Sequence, residues 1–245
     1  MITSEAVVLR TWPIQEADQI VSLFTREQGK VKGVAKSAAK SRRRFGGALE
    51  PMTYVRANYV EKPRQDLVRL DFFEILRSPL SIAVDYTRLA ALAFFAEVID
   101  ETLPERDPND AVFRLLLSVL EAAESGEIWM PVTYFALWMT RLMGWLPDLR
   151  HCLLCAEAFA GAPAYFHALS DGLVCVHHRR LASGTLTPDS QQLAARIFHA
   201  PVTGLAGDTW QRDTGRDLRR FSIQTIERHI ERRLTSAKAL YKLGG

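Results

Sequence analysis

Short runs of β-branched and aromatic residues fill the first third of the chain, and turn-prone pairs such as Trp12-Pro13 and Lys62-Pro63 separate them. Runs of this length and composition are typical of β-strands. The predicted strands cover residues 6–9, 20–24, 31–34, 54–60 and 67–73. No helical segment long enough for parallel crossovers lies between them, so the pattern predicts a small antiparallel barrel, for which an OB-fold is the natural candidate.

The periodicity changes at Pro79, after which apolar residues recur at three- and four-residue spacing. That spacing is typical of packed helices, which we predict over 80–103, 111–123, 132–145, 190–199 and 216–240. Residues 147–182 break the helical period and contain every cysteine. The predicted fold class is therefore α+β and multidomain. It combines an OB-fold β-barrel at 1–79, a helical domain at 80–146 and 183–245, and a compact insert at 147–182.

The insert contains cysteines and a histidine at the spacing typical of metal ligands. Cys152 and Cys155 form a Cys-x2-Cys pair, nineteen residues separate it from Cys175, and His178 follows three positions later. Two side chains at this spacing in a tight turn can reach one ion, and the gap is in the range of zinc ribbons. We therefore predict a zinc-ribbon-like insert that holds a structural Zn²⁺ through these four residues. His177 is the alternative fourth ligand, and buried free thiols or a redox pair are the alternatives to metal binding.

Positive charge is concentrated between Arg26 and Arg64, a segment that contains eleven Lys or Arg residues and three acidic residues. The whole chain of 245 residues carries a net charge of only +3, so the remainder is mildly acidic. A localised basic block of this kind is typical of a nucleic-acid site. Its centre falls in the predicted loop between the third and fourth strands, and the alternative is a solvated charge run or a targeting signal. The predicted DNA-binding residues are Lys36, Lys40, Arg42, Arg43 and Arg44.

Several aromatic residues near this block are candidate stacking surfaces for bases, but most of them are equally suited to a barrel core. They are Phe45, Tyr54, Tyr59, Phe72 and Phe73. We interpret the acids between Glu97 and Asp110 as solvated side chains at a helix end. The arginines of 216–220 and 232–233 are interpreted as helix surface, with a second nucleic-acid contact as the alternative.

The sequence favours a non-catalytic protein. The motifs Gly-x4-Gly-Lys-[Ser/Thr], Gly-x-Gly-x2-Gly and His-Glu-x2-His are missing. A zinc hydrolase is disfavoured because four protein ligands leave no open position on the metal. The longest apolar run, 89–99, is too short for a bilayer span of about 20 residues. The N-terminal residues carry no export signal, so we expect a cytoplasmic location.

Several ordered segments resemble the bacterial DNA repair protein RecO family. The resemblance is carried by Ala6-Val7-Val8-Leu9-Arg10, Glu16-Ala17-Asp18, Leu23 to Gly29, Gly33-Val34-Ala35-Lys36 and Ser41 to Pro51. It continues through the helical segment 86–101, the Gly144-Trp145-Leu146-Pro147 sequence and the cysteine spacing, and it becomes weaker after about residue 185. The resemblance therefore covers most of the chain.

This resemblance implies an OB-fold, a helical domain and a zinc ribbon. It implies a recombination mediator that binds single- and double-stranded DNA, anneals complementary strands, contacts RecR and the single-stranded DNA-binding protein, and helps load RecA. It also implies association with the nucleoid during repair. His178 stands where the family's four-cysteine pattern has cysteine, and some members of the family lack these ligands altogether. The resemblance therefore implies a zinc that is structural and dispensable to the core activity.

The implied contact with the acidic, Phe-ended tail of the single-stranded DNA-binding protein requires an apolar pocket near cations. Arg114 and Arg141, on helices rich in aromatic residues and methionine, are the candidate cations. The rival interpretation of the whole chain is a protein-interaction adaptor, in which the zinc ribbon and helices bind protein and the basic loop is surface without direct DNA contact.

Overall fold

The computed structural model describes residues 1–14, 16–41, 43–79, 85–124, 127–205 and 210–244. The chain divides into two compact units, Met1–Leu120 and Glu121–Gly245. Arg42 and the start of the first predicted helix, 80–84, lie outside the described residues. Within the described ranges, no helix has both the length and the apolar character needed to cross a membrane. The predicted domain boundaries stay predictions.

The first unit contains a closed barrel, which confirms the predicted OB-like fold. The strands are hydrogen-bonded in the order β1-β2-β3-β5-β4, and β4 pairs with β1 to close the barrel. Neighbouring strands are antiparallel except β3 and β5, which are parallel. The bounds are β1 (Ile2–Pro13), β2 (Gln19–Thr25), β3 (Gly29–Ala35), β4 (Tyr54–Val60) and β5 (Val68–Arg77).

One of the two register shifts between β4 and β5 interrupts the alternation of side chains along β5 near Phe72. Asn58 of β4 pairs with Phe72, whereas the next residue of β4 pairs with Leu70. Asp71 is therefore the additional residue of a β-bulge. Because the bulge shifts the alternation by one position, Leu70 and Phe73 both lie in the barrel core. Phe72 is consequently left on the outer side of the strand.

Two helices follow the barrel, and the second begins in the first unit and ends just beyond it. They are α1 (Tyr86–Thr102) and α2 (Asp110–Glu124). The carboxylate of Asp85 caps α1 by accepting the backbone N–H of Arg88 at 2.7 Å. On α2, Phe113 packs edge-on against Phe24 of β2, with ring centroids 5.5 Å apart. This aromatic contact holds α2 against the outer side of the barrel.

The linker between α1 and α2 lies against the turn that joins β2 to β3. Arg106 donates its backbone N–H to the carbonyl oxygen of Lys30 at 3.0 Å. Gly29 in this turn has a φ of 67°, and a Cβ built on it lies 2.2 Å from the carbonyl oxygen of Asp107. Glycine is therefore required both for the left-handed backbone and for the close approach of the linker.

The second unit is mainly helical, with the cysteine-containing insert between its first two helices. The helices of the second unit are α3 (Trp129–Leu142), α4 (Pro188–His199), α5 (Arg216–His229) and α6 (Thr235–Gly244). The prediction of one helix over 216–240 is wrong, because the chain breaks between α5 and α6. Glu231 has a φ of 55°, and the carboxylate of Glu227 accepts the backbone N–H of Leu234 at 2.9 Å. The apolar period continues through this break, so periodicity alone conceals it.

The insert contains little regular structure. Its strands β6 (Ala164–Phe166) and β7 (Gly184–Leu186) pair in antiparallel fashion. Tyr165 of β6 also exchanges two backbone hydrogen bonds of 2.9 Å with Val174, so β6 pairs with chain segments on both sides. This arrangement positions the second cysteine-containing segment, which begins at Cys175, next to the first.

We expect Gly29→Ala to lower the free energy of unfolding of the first unit by at least about 2 kcal/mol, because the added Cβ meets backbone atoms in a left-handed residue. Chemical denaturation followed by circular dichroism measures the change. Gly47→Ala is the matched control, since no atom lies within 4 Å of its added Cβ. Its effect should stay within about 0.5 kcal/mol, and equal losses in both variants would contradict the packing of the linker.

Candidate functional site

The loop between β3 and β4, residues 36–53, carries the cations predicted to bind DNA, and we call it the basic loop. It is anchored in the barrel, because Phe45 is only 2% exposed and belongs to the barrel core. The Phe45 ring packs edge-on against Phe73, with centroids 5.5 Å apart. The backbone N–H of Phe73 donates to the carbonyl oxygen of Arg44 at 2.9 Å. The loop is therefore held against β5 by both side-chain and backbone contacts.

Arg44 stabilises the basic loop from within. Its Nε donates to Ser41 Oγ at 3.0 Å, and its Nη2 donates to the carbonyl oxygen of Lys36. The guanidinium carbon lies 5.2 Å from the centre of the Phe45 ring. These contacts commit two of the five guanidinium N–H donors, so the structure gives Arg44 a positioning role as well as a charge.

The side chains of Lys36, Lys40 and Arg43 are exposed. In the part of the chain that the structure describes, none of these three forms an ion pair. Arg42, the remaining predicted DNA contact, lies outside the described residues. The structure therefore brings three unneutralised cations together on one anchored loop.

Acids from α1, the linker and α2 neutralise other cations of the barrel. The interpretation of these acids as solvated is wrong for Glu97, which is 7% exposed, and for Asp100, whose side chain is 14% exposed. Burial lowers the pKa of Lys30, and the nearby Asp100 opposes that shift. A hydrogen bond to Glu105 raises the pKa of Lys32. The pairs are Arg10–Asp100, Arg26–Asp110, Lys30–Asp100 and Lys32–Glu105. Positive charge without an acidic partner consequently remains on the basic loop.

A second feature is a cavity of about 440 Å³ in the second unit. Side chains of α3, α5 and α6 combine there, with apolar groups next to arginines. Sequence patterns do not predict this cavity, because its residues come from distant segments and only the mixture of apolar and basic residues on α5 hints at it. Arg114 and Arg141 do not line it. Its lining includes Trp129, Arg219, Arg220, Ile223 and Tyr241.

Arg219 has a structural role in the wall of this cavity. It is 5% exposed, and its guanidinium carbon lies 4.8 Å from the centre of the Trp129 ring. Its Nη1 donates to Thr133 Oγ1 at 2.9 Å and its Nη2 to the carbonyl oxygen of Arg212 at 2.7 Å. Burial lowers the pKa of Arg219 to about 10, which leaves it charged at neutral pH. By contrast, Arg220 is exposed.

The structure brings the three cysteines of the insert and His178 into one cluster. One ligand atom from each of Cys152, Cys155, Cys175 and His178 lies within 4.8 Å of the others. Tight turns place these atoms: Ala156 donates its backbone N–H to the Cys152 carbonyl oxygen at 2.9 Å, and a short 3₁₀ helix, Val176–His178, follows Cys175. The cluster contains His178 and not His177.

The donor set of this cluster fits a tetrahedral metal ion such as zinc. A tetrahedron with Zn–S bonds of about 2.3 Å has edges of about 3.8 Å. The sulfurs of Cys155 and Cys175 are 3.9 Å apart, and His178 Nδ1 lies 3.2 Å from Cys175 Sγ. The backbone N–H of Cys175 donates to Cys152 Sγ at 3.4 Å, as expected for a sulfur that carries negative charge. The cluster could therefore bind a metal ion.

The cluster also favours the thiolate form that metal binding requires. Burial disfavours a charge on Cys152, but backbone N–H groups of Cys155, Cys175 and Leu154 outweigh it and lower the pKa of Cys152 to about 6. The backbone N–H of Glu157 favours the thiolate of Cys155, yet the neighbouring sulfurs raise its pKa. Without an ion, therefore, Cys152 loses its proton readily, and the resulting negative charge opposes ionisation of Cys155.

Comparison with known proteins decides the family. Residues 1–79 match the family described as recombination protein O N terminal, and residues 83–238 match recombination protein O C terminal. The chain is 56% identical over 240 residues to the DNA repair protein RecO of Koribacter versatilis, covering 98% of each chain. The chain belongs to the RecO family.

More distant relatives carry the same name. The chain is 33% identical over 242 residues to the DNA repair protein RecO of Anaeromyxobacter sp. strain K, covering 97% of this chain and 95% of the relative. It is 27% identical over 248 residues to that of Pelotomaculum thermopropionicum, covering 98% and 94%. The predicted resemblance is thus confirmed, and the chain is a member of a family of DNA repair proteins.

We expect the cluster to bind cobalt(II) with the intense thiolate-to-metal absorption of a sulfur-rich tetrahedral site, one ion per chain. His178→Ala should lose most of this absorption because it removes one of four ligands. His177→Ala is the matched control and should retain it, since the neighbouring imidazole is outside the cluster. Titration of both variants by absorption spectroscopy distinguishes them. A greater loss in the His177 variant would contradict the ligand set.

Proposed function

We propose that the chain is a non-catalytic recombination mediator that binds single- and double-stranded DNA and anneals complementary strands. With RecR, it helps load RecA onto DNA coated by the single-stranded DNA-binding protein. The observation that carries the DNA-binding part is the anchored basic loop with exposed Lys36, Lys40 and Arg43. Membership of the RecO family supports the repair context and the choice of partners.

The proposed activity follows from electrostatics. Two DNA strands repel each other through their phosphates, and a protein that neutralises phosphates releases counterions and gains affinity at low salt. Cations on an anchored loop lose little freedom when they bind. Base pairing then supplies the free energy of annealing, so no residue has to form or break a covalent bond. We place this activity in the cytoplasm, at the nucleoid.

Zinc is the metal we propose for the cysteine cluster. Cys152, Cys155, Cys175 and His178 would hold it, and the ion would supply structural cross-linking of the insert rather than Lewis-acid chemistry. Three cysteines and one histidine complete a tetrahedral site, which leaves no position for water. The two tight turns of the insert would then be held together by the ion.

One observation favours the adaptor interpretation as a second candidate. Leu153, Leu154 and Val176, which lie between the ligands, are 53%, 64% and 55% exposed. Exposed apolar side chains of this kind are typical of protein contacts. If the chain were an adaptor alone, it would not retard DNA at moderate salt. Both activities are compatible with a mediator that contacts DNA and protein through different surfaces.

We also propose that the cavity in the second unit receives the acidic, Phe-ended tail of the single-stranded DNA-binding protein. Tyr241, which is 40% exposed, offers an apolar surface for the ring above the buried Trp129 and Ile223, and Arg220 offers a cation for the acidic residues. Arg141, a candidate from the sequence, instead stacks on Phe198, with its guanidinium carbon 4.6 Å from the ring centre.

We expect the triple variant Lys36→Gln, Lys40→Gln, Arg43→Gln to bind single-stranded DNA with a shallower salt dependence. Loss of three phosphate contacts should reduce the slope of log affinity against log salt by about 2. Fluorescence anisotropy with a labelled oligonucleotide at several salt concentrations measures the slope. Arg44 is left intact because its removal would also disturb the loop.

The matched control for that experiment is a triple variant of exposed cations in the second unit, Arg150→Gln, Arg180→Gln, Lys238→Gln. It changes the net charge by the same amount, so a general charge effect would alter both slopes equally. An unchanged slope in the loop variant would contradict the proposal that the basic loop binds phosphates.

We expect Arg220→Glu to weaken binding of a synthetic acidic peptide ending in Phe by roughly tenfold or more, because the charge reversal repels the acidic residues. Isothermal titration calorimetry measures the affinity. Arg141→Glu is the control cation outside the cavity and should bind as the parent does. A peptide without its final Phe should bind weakly to every variant. A larger effect of Arg141→Glu than of Arg220→Glu would favour a peptide site near Arg141 instead of the cavity.

A further inference from the structure

The fold separates the candidate stacking residues into buried and accessible rings. Phe45, Tyr59 and Phe73 are 2%, 0% and 7% exposed and form part of the barrel core. Phe72 is 43% exposed. The bulge at Asp71 is responsible for this difference, since it directs Phe73 inward and Phe72 outward. Of these four rings, only Phe72 offers a large accessible surface.

Phe72 lies next to the basic loop. β3 pairs with β5 only as far as Ala35 opposite Leu70, and β5 continues to Arg77. Beyond that point the loop replaces β3 as the neighbour of β5, because the carbonyl oxygen of Arg44 accepts the backbone N–H of Phe73 at 2.9 Å. Neighbouring strands lie about 4.8 Å apart. The exposed ring is therefore one residue away from the point where the loop meets the strand.

On its other side, Phe72 adjoins Asn58, which is only 7% exposed. Asn58 is the cross-strand partner of Phe72 on β4, and its neighbours Ala57 and Tyr59 point into the core. Asn58 Oδ1 accepts a hydrogen bond from Thr3 Oγ1 at 2.7 Å. The row Thr3–Asn58–Phe72 thus runs across three strands toward the basic loop, and Thr3 and Phe72 are its exposed members.

We propose that Phe72 is a base-stacking platform for single-stranded nucleic acid, with the phosphates of the same segment on the cations of the basic loop. This inference rests on the proposed DNA-binding function and names one residue that contacts the bases. An aromatic ring beside a cationic segment matches the two chemical parts of an unpaired nucleotide. Bases in a duplex are already stacked on each other, so this contact distinguishes single strands from duplexes, whereas the cations bind both.

The experiment compares two labelled oligonucleotides of equal length, oligo(dT) and a fully abasic strand, which share phosphates but differ in bases. Phe72→Ala should weaken oligo(dT) binding at least about fivefold and leave abasic-strand binding unchanged. Phe72→Tyr should retain the parent affinity. The salt slope should be the same in all variants, because Phe72 carries no charge. Anisotropy titrations provide each value, and circular dichroism checks folding.

Ile75→Ala is the matched control, since Ile75 lies on the same strand and is 45% exposed but has no aromatic ring. It should bind both strands as the parent does. Equal weakening of both strands by Phe72→Ala, or no weakening of either, would overturn the stacking assignment while leaving salt-dependent binding intact. If the parent itself shows no salt-dependent binding to either strand, the proposed DNA-binding function fails as well.

Discussion

The insertion of Phe45 into the barrel is the interaction on which the rest of the first unit depends. β3 ends at Ala35, so the backbone groups of β5 beyond Leu70 need another partner. The basic loop supplies it through the carbonyl oxygen of Arg44, and the buried ring of Phe45 secures that contact. A segment rich in cations would otherwise repel itself and remain extended in solvent. Here its apolar anchor and backbone bond determine where the charges lie.

The distribution of charge follows from the same packing. Acids of α1, the linker and α2 form ion pairs with cations of β1, the turn after β2 and β3, whereas in the described residues Lys36, Lys40 and Arg43 form none. A net charge of +3 therefore says little about this surface. The helices neutralise one side of the barrel, and the loop keeps its charge on another. Such asymmetry orients a polyanion as well as attracting it.

Local patterns predicted the five barrel strands, the existence of the helices and the ligand spacing, because alternation, helical period and tight-turn spacing are properties of neighbouring residues. Long-range relations were not accessible in this way. The pairing of Asp100 with Lys30 and the cavity beside Trp129 depend on segments distant in sequence. The interrupted helix at Glu231 depends on a nearby contact between Glu227 and Leu234, which the apolar period does not reveal. The cysteine and histidine positions were the exception, because the spacing of metal ligands predicts that residues distant in sequence meet at one ion.

The β-bulge at Asp71 also has a consequence for how the chain tolerates changes in length. Two consecutive phenylalanines, Phe72 and Phe73, face opposite sides of the sheet, and the single extra residue before them decides which side each one takes. Loss of one residue between Leu70 and Phe72 would exchange their environments without changing either side chain. The number of residues in this strand therefore decides which side chain faces the surface more strongly than the residue types do. Alignments of related chains are most informative over this strand where they contain no gaps.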